Sequence, residues 1–405
     1  MQKTGARVAR SPAGARKEAP SNGSSTVNVV VPLAAPGQSG MICSRRSLGP
    51  APIFKAYAVF SRPKGRSTLH VMILGATGST GRALVPQLQS ADAAVEVSAV
   101  SRTAFALPGV GRVLTGDYGD TDFLAELRRH LARVQVLVHL ADGLSVLQRS
   151  RHARDDAMAE RRIAASRRLA VAVREVQVPL FIHVSSIKAI CDEDDARVLD
   201  ETATARSSSL YGRSKLRLEQ ALAEALAGSG TRLAIVRNPV MYAPGKSGSL
   251  ARLLRLADTP LPLPLGGATG RRSLLAVRNL ASGLAAMVRS AGGDGPQAAA
   301  GLFHIHDGAP LSTTEIVASL RDALGRPRRL FALGAQGTAL ARQLPLVAPV
   351  ARRFFGSLEV TDAHFRRTFN WTPAVETRTG LAEMVAAHGE TRGKNAGRSA
   401  AYHRG

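Results

Sequence analysis

Val71–Met72–Ile73–Leu74–Gly75–Ala76–Thr77–Gly78–Ser79–Thr80–Gly81 is an apolar run that ends in Gly-x-x-Gly-x-x-Gly. Arg82–Ala83–Leu84–Val85 then opens a run compatible with a helix. The pattern predicts a buried strand, a tight glycine turn and the N-terminus of a helix. Free backbone N–H groups at such a terminus, with the positive end of the helix dipole, attract an anion. In this context the usual occupant is the pyrophosphate of a dinucleotide. The glycines let the turn close and let the backbone approach the phosphates with no Cβ in the way. Three glycines alone also occur in ordinary tight turns, so the strand and helix on either side carry the reading.

Working outward, strand-like segments recur at Val71–Leu74, Val95–Val100, Val134–Leu140, Leu180–Ser185 and Leu233–Arg237. Helical stretches such as Gly81–Gln89, Asp122–Leu131 and Asp155–Val176 lie between them. Alternating β and α at this spacing predicts an α/β domain: a doubly wound parallel sheet over residues 68–240. Ligands then belong at the C-terminal ends of the strands. After Arg237 the chain changes character. Asn238–Gly245 is loop-like, Leu250–Ala257 reads as a helix, and Pro260–Gly267 is an extended Pro-Leu loop. Asn279 is placed to cap the helix running through Val288. Phe303–His306 reads as a short strand, so the chain is expected to return to the first domain at about 272–306. Ser312 and Glu315 form a capping-box pair. A smaller α+β domain over 241–390 and a frayed tail at 391–405 complete the expected organisation.

Residues 1–67 are rich in Gly, Pro, Ser, Ala and Arg without sustained periodicity, and disorder is expected there. The segment is Arg- and Ser-rich with a single acid, Glu18, as in transit peptides, but it lacks an amphipathic helix. The favoured reading is a native start near Leu69 or Val71, with upstream coding in front of it. The net charge is +24, carried mostly by Arg. A nucleic-acid surface would interleave aromatics with that charge, and aromatics are only 4% of the chain, so a solvated Arg-rich surface is expected instead. Cys43 and Cys191 have no metal spacing and no disulfide framework, which fits a reducing, cytoplasmic setting and no metal site. No apolar run is long enough to span a membrane.

Two further features carry chemistry. Tyr211–Gly212–Arg213–Ser214–Lys215 is a Tyr-x-x-x-Lys, which on a helix sets an ammonium one turn from a phenol. A free phenol is too weak an acid to act as a base at neutral pH, and a nearby cation favours the phenolate. The pair then serves a carbonyl/alcohol interconversion as proton donor or acceptor. The strand Leu180–Val184 ends in Ser185–Ser186, and a hydroxyl there can hydrogen-bond the same oxygen. Each feature alone has a plain structural explanation, a solvated helix face or a capping serine. Together, in this order, they are far more specific.

The three features resemble the extended short-chain dehydrogenase/reductases, and within them the NAD-dependent epimerase/dehydratase family acting on nucleotide sugars. The resemblance covers about residues 69–388. It extends to Phe181–Ile182–His183–Val184–Ser185–Ser186–Ile187–Lys188, Leu261–Pro262–Leu263–Pro264–Leu265–Gly266, Arg271–Arg272–Ser273–Leu274–Leu275 and Asn370–Trp371–Thr372–Pro373, which look like the UDP-sugar 4-epimerase and 4-ketoreductase branch. It implies a Rossmann domain with a smaller substrate-binding C-terminal domain, and a soluble enzyme of cell-surface polysaccharide synthesis with no membrane or nucleic-acid partner. Tyr211 would be the acid/base at the sugar C4 oxygen. Lys215 would hold the nicotinamide ribose and favour the phenolate. Ser186 would share the C4 oxygen, with Ser185 as the register alternative. Gly75, Thr77, Gly78, Ser79, Thr80 and Gly81 would cradle the dinucleotide. Asp117 and Tyr118 would lie at the adenine and Ala141 beside the cofactor. Arg272 would bind the UDP pyrophosphate, with Lys188 also on the substrate side.

The departures from the family pattern are informative. Ile187 and Lys188 stand where 4,6-dehydratases carry Asp and Glu, which argues against elimination of water. Arg162 stands where the family often has Asn, on an Arg-crowded helix through which homodimers of this family pack. Ser101–Arg102 ends the second strand, where an acid would select NAD; Arg102 leans to NADP(H) over NAD(H). A non-catalytic dinucleotide-binding sensor or assembly protein is the alternative, with Arg162 as its best support.

Overall fold

A computed structural model describes residues 68–402, except 91–94, 150–153, 246–247, 293–299 and 345–347. The expectations for residues 1–67, Cys43 included, lie outside the described residues. In chain order the first strands are β1 (Leu69–Leu74), β2 (Val95–Ser101), β3 (Arg112–Thr115), β4 (Val136–His139) and β5 (Leu180–Ser186). Then come β6 (Val198–Leu199), β7 (Arg232–Asn238), β8 (Val240–Tyr242), β9 (Arg271–Arg272), β10 (Leu274–Ala276), β11 (Gly301–His304), β12 (Leu311–Ser312) and β13 (Glu359–Val360). Seven of them form one parallel sheet in the order β11-β7-β5-β4-β1-β2-β3. The order reverses between β1 and β4, and that switch point is where a doubly wound sheet opens a crevice at its strand ends.

Strands buried on both faces read as continuous apolar runs, which is why Val136–Leu137–Val138 and Leu180–Phe181–Ile182 were legible. Alternate side chains of β1 serve opposite layers. Val71 and Ile73 pack with α1 (Ser79–Gln89). Met72 and Leu74 pack with α2 (Thr121–Leu131), α3 (Arg154–Glu175) and α4 (Leu210–Leu226). After α5 (Ser249–Ala257), α6 (Val277–Gly292) covers the α1 layer through Leu280, Ala281, Leu284 and Val288. A third apolar core is built around Tyr242, Leu253, Leu265 and Leu274 by α5, α7 (Thr313–Ala323) and the final helix.

Three local expectations are corrected or sharpened. Asn279 is not a cap. It lies inside α6, buried, where its side chain donates to Asp307 (2.7 Å) and the Val375 carbonyl (2.7 Å) and accepts from Val375 N–H (3.0 Å). The capping box of α7 is formed as read, with Glu315 N–H on Ser312 Oγ at 3.1 Å and Ser312 N–H on Glu315 at 2.8 Å. Beyond α8 (Gly334–Gln343), α9 (Ala348–Phe355) and α10 (Ala363–Phe369), the last helix α11 runs Thr377–Tyr402 and takes in residues 391–402 of the expected tail. The sequence carries no proline after Pro373 to stop it. No described helix is long and apolar enough to cross a membrane.

Candidate active site

The glycine turn sits at the C-terminal end of β1. Gly75 has φ +96°, and a Cβ on it would lie 2.9 Å from Ala141 Cβ at the end of β4. A Cβ on Gly81 would overlap Ala76 Cα and sit 2.6 Å from the Gly75 carbonyl oxygen, so α1 meets the strand too closely for any side chain there. No side chain caps α1 at Gly78, and its first turn holds no acid. Thr77, Gly78 and Ser79 are exposed, with Thr80 half-buried beside them. The arrangement leaves N–H groups at α1 for an anion and fits a dinucleotide pyrophosphate.

Tyr211 and Lys215 lie one turn apart on α4, both buried. Ser209 caps that helix, accepting from Gly212 N–H at 3.0 Å, and Asp192 in turn accepts from Ser208 and Ser209 N–H. A Cβ on Gly212 would overlap Ser207 and the Lys188 carbonyl, so this glycine is what lets α4 press against the 3-10 turn Ile187–Ala189 that follows β5. Ser186, Tyr211 and Lys215 are thereby gathered at one end of the sheet. The Lys215 ammonium donates to the Val184 carbonyl at 3.3 Å and lies 5.9 Å from the Tyr211 ring centroid.

The two serines differ in their partners. Ser185 Oγ donates to Glu219, which is locked in a buried pair with Arg237 (Nη2 to Oε2 2.6 Å). Among the described residues Ser186 Oγ has only a long contact with Lys188 N–H at 3.3 Å, and its register neighbour is Asn238. Asn238 Oδ1 is buried with no partner among the described residues. No motif marked Asn238; its place opposite Ser186 comes from strand register alone.

At the adenine side, Asp117 and Tyr118 part company. Asp117 is half-exposed, accepts from Gly119 N–H at 2.9 Å and pairs with Arg162 at 3.1 Å. Burial raises its carboxyl, but Gly119 N–H and Arg162 pull it below the ordinary range. The Arg162 side chain also covers Gly143. The Tyr118 side chain turns away from solvent, which leaves its backbone as the part of the residue available at the strand end. It is buried under the sheet, its hydroxyl donating to the Ala141 carbonyl at 2.9 Å and lying 3.2 Å from His139 Nε2, and burial raises it far above the usual phenol range. Arg102 is exposed at the end of β2, within electrostatic reach of Asp117.

Lys188 and Arg272 converge on one segment. Lys188 Nζ lies 3.2 Å from Glu193 Oε1, and Arg272 Nη2 donates to the Glu193 carbonyl at 2.8 Å. Arg353, unmarked in the sequence, pairs with the same carboxylate at 2.6 Å. Arg272 Nε is buried without a partner among the described residues, and burial lowers the guanidinium from its ordinary value. Lys188, Arg272 and Arg353 thus bring three cations to one segment that carries Glu193 and Asp194, and guanidinium groups suit phosphate oxygens. Among the described residues, no group of His, Cys, Asp and Glu could hold a metal ion.

The profile of the NAD dependent epimerase/dehydratase family matches residues 71–299, more than half of the chain. The chain belongs to that family. It is similar to a UDP-glucose 4-epimerase from Vibrio cholerae, 26% identical over 328 residues, covering 78% of this chain and 94% of the relative. Among solved structures it resembles a UDP-glucuronic acid 4-epimerase from Bacillus cereus in complex with UDP-glucuronic acid and NAD, with a TM-score of 0.63 at 17% identity, covering 80% and 100% of the two chains. It also resembles the Bordetella bronchiseptica enzyme WbmG in complex with NAD, with a TM-score of 0.60 at 17% identity, covering 80% and 95%. These likenesses agree with a Rossmann-like α/β fold whose seven-stranded parallel sheet carries the family's glycine turn.

Proposed function

We propose that this family member is a nucleotide-sugar 4-epimerase, using a bound NAD(H) or NADP(H) to interconvert alcohol and ketone at C4 of a UDP-linked hexose or 6-deoxy-HexNAc. The observation that carries this reading is the meeting of Ser186, Tyr211 and Lys215 at the strand ends beside the glycine turn, in a chain that aligns with 94% of a UDP-glucose 4-epimerase. Gly75–Gly81 would hold the pyrophosphate, Asp117 the adenine end and Lys215 the ribose nearest the chemistry. The nicotinamide supplies a hydride acceptor and donor. Tyr211 takes the proton from the C4 hydroxyl and later returns it, while Ser186 hydrogen-bonds the same oxygen. Lys215 favours the phenolate through its charge. The Lys188–Arg272–Arg353 cluster would take the UDP diphosphate. Arg102 offers a partner for a 2′-phosphate, and a 4-ketoreductase on NADPH uses the same three residues. A role in cell-surface polysaccharide synthesis and a homodimer are part of the same reading.

A second reading, a non-catalytic dinucleotide sensor or assembly protein, is favoured by one observation: Asp117 is already engaged by Arg162. Protein purified without added cofactor separates the two. Retained NAD⁺ or NADH together with turnover of UDP-glucose or UDP-GlcNAc supports the epimerase. An empty site that prefers NADPH and reduces a UDP-4-keto-6-deoxy sugar supports the reductase. A Tyr211→Phe protein should lose at least ~100-fold in turnover while still binding dinucleotide. Unchanged turnover would remove Tyr211 from the mechanism.

A further inference from the structure

Asp142 follows Ala141 just beyond β4, and no motif singles it out. Its side chain is only 8% exposed, and its two oxygens do different things. Oδ1 accepts from Leu144 N–H at 2.9 Å, closing the turn that opens the 3-10 helix Leu144–Arg149. Oδ2 forms an ion pair with Lys215 Nζ, itself 7% exposed. The ammonium's other acceptor is a carbonyl, that of Val184.

A lysine so buried, without a counter-charge, gives up its proton several pH units early. The other titratable groups facing Lys215 support its charge less than Asp142 does. On its own helix, Glu219 is committed to Arg237 and Ser185, and the Tyr211 ring lies under the ammonium with its centroid 5.9 Å away. From β4 and β5, His139 and His183 are held neutral by burial. Asp142 is therefore the carboxylate that answers Lys215. Burial pushes the Asp142 carboxyl up, and Lys215 foremost, with His183 and His139 beside it, more than offsets this and brings it down to about 2. Burial likewise pulls Lys215 down, and Asp142, the foremost of the groups that raise it, acts with Tyr211 and Glu219 to more than restore it.

We propose that Asp142 is a positioning residue for the Tyr211–Lys215 pair: its ion pair keeps the buried ammonium charged and beside the phenol before any dinucleotide arrives. The proposal rests on the reading of Tyr211 and Lys215 as the reacting pair. It also means that an incoming ribose meets an ion pair with an acceptor and a donor, rather than a lone cation.

The chain holds only eight lysines, so the test is a lysine-selective carbon and nitrogen NMR titration of the full chain without cofactor. Lys215→Arg assigns the signal. In the wild-type protein the Lys215 signal should keep its charged position through pH 10. In Asp142→Asn, whose amide oxygen can still accept from Leu144, the midpoint should fall by at least one pH unit, a tenfold loss of proton affinity. Asp142→Glu should recover most of it. Coincident titrations of the wild-type and Asp142→Asn proteins would overturn the proposal and leave Asp142 a turn residue. If Asp142→Asn does not fold, Asp142→Ser keeps a turn acceptor without the charge and is read the same way. With UDP-glucose, the alkaline limb of kcat should move to lower pH in Asp142→Asn while KM stays within twofold, and a limb that stays put would count against the proposal. If the wild-type protein turns nothing over, the epimerase reading fails, and the lysine titration still decides the role of Asp142.

Discussion

Lowering the pH from 7 to 5 should destabilise this fold before most carboxylates take up a proton. His139, His183 and His304 have no exposed surface. Burial takes His139 down to about 4 and His304 down to about 3, and holds His183 well below its ordinary value. The geometry points the same way. His139 Nδ1 faces His183 Nδ1 at 3.2 Å, and two nitrogens at that distance share one proton; a second would set N–H against N–H. His183 Nε2 is buried with no partner among the described residues, and His304 lies within reach of the Arg237 charge. An unfolded histidine takes up its proton near pH 6.5; in the fold His139 does so only at about 4, His304 only at about 3, and His183 only well below its ordinary value. Between those values the unfolded chain binds more protons, so stability is fully present above pH 6.5 and falls as the pH drops toward 4. His139 and His304 each contribute about 1.8 kcal/mol between pH 7 and 5, about 4 kcal/mol for the two, and His183 acts in the same direction. That is a large share of the ~5–15 kcal/mol of an ordinary domain. Urea unfolding curves at pH 7, 6 and 5 measure it directly. A free energy of unfolding at pH 5 within about 1 kcal/mol of that at pH 7 would refute the reasoning.

Two further predictions concern the frame of the site. Gly81→Ala forces α1 away from Ala76 and the Gly75 carbonyl, which costs about 1–3 kcal/mol and lowers dinucleotide affinity at least ~10-fold; thermal unfolding and calorimetric titration check both, and an unchanged Kd counts against the glycine cradle. Glu219→Ala leaves the Arg237 guanidinium buried without its partner, and denaturant unfolding should show a loss of about 3–5 kcal/mol, largely recovered when Arg237→Leu is added; a loss under about 1 kcal/mol means that Arg237 finds another acceptor or water.

Much of this architecture was legible because its signals are local. Val71–Leu74 and Leu180–Ile182 are apolar on both faces, as a buried parallel strand must be. The Gly75–Gly81 spacing and the i, i+4 spacing of Tyr211 and Lys215 are properties of one turn and one helix. The short edge strand β3 (Arg112–Thr115) was missed because four residues with one fully buried side chain carry almost no periodicity. Asn279 was misread because a polar residue near a helix start looks like a cap unless its distant partners, Asp307 and Val375, are known.

The sequence by itself determined the alternation of strands and helices, the glycine turn, and the residue types available for proton transfer. All of these follow from backbone geometry over fewer than about 20 consecutive residues. The tertiary structure alone decided that Ser186 rather than Ser185 is free of a buried partner, that Tyr118 turns into the core, and that Asp117 meets Arg162 from α3. It alone brought Asp142 to Lys215 across 73 residues of chain. Those outcomes depend on sheet register and on which layer each helix covers. A buried charge chooses its partner only after the sheet has closed and water has gone.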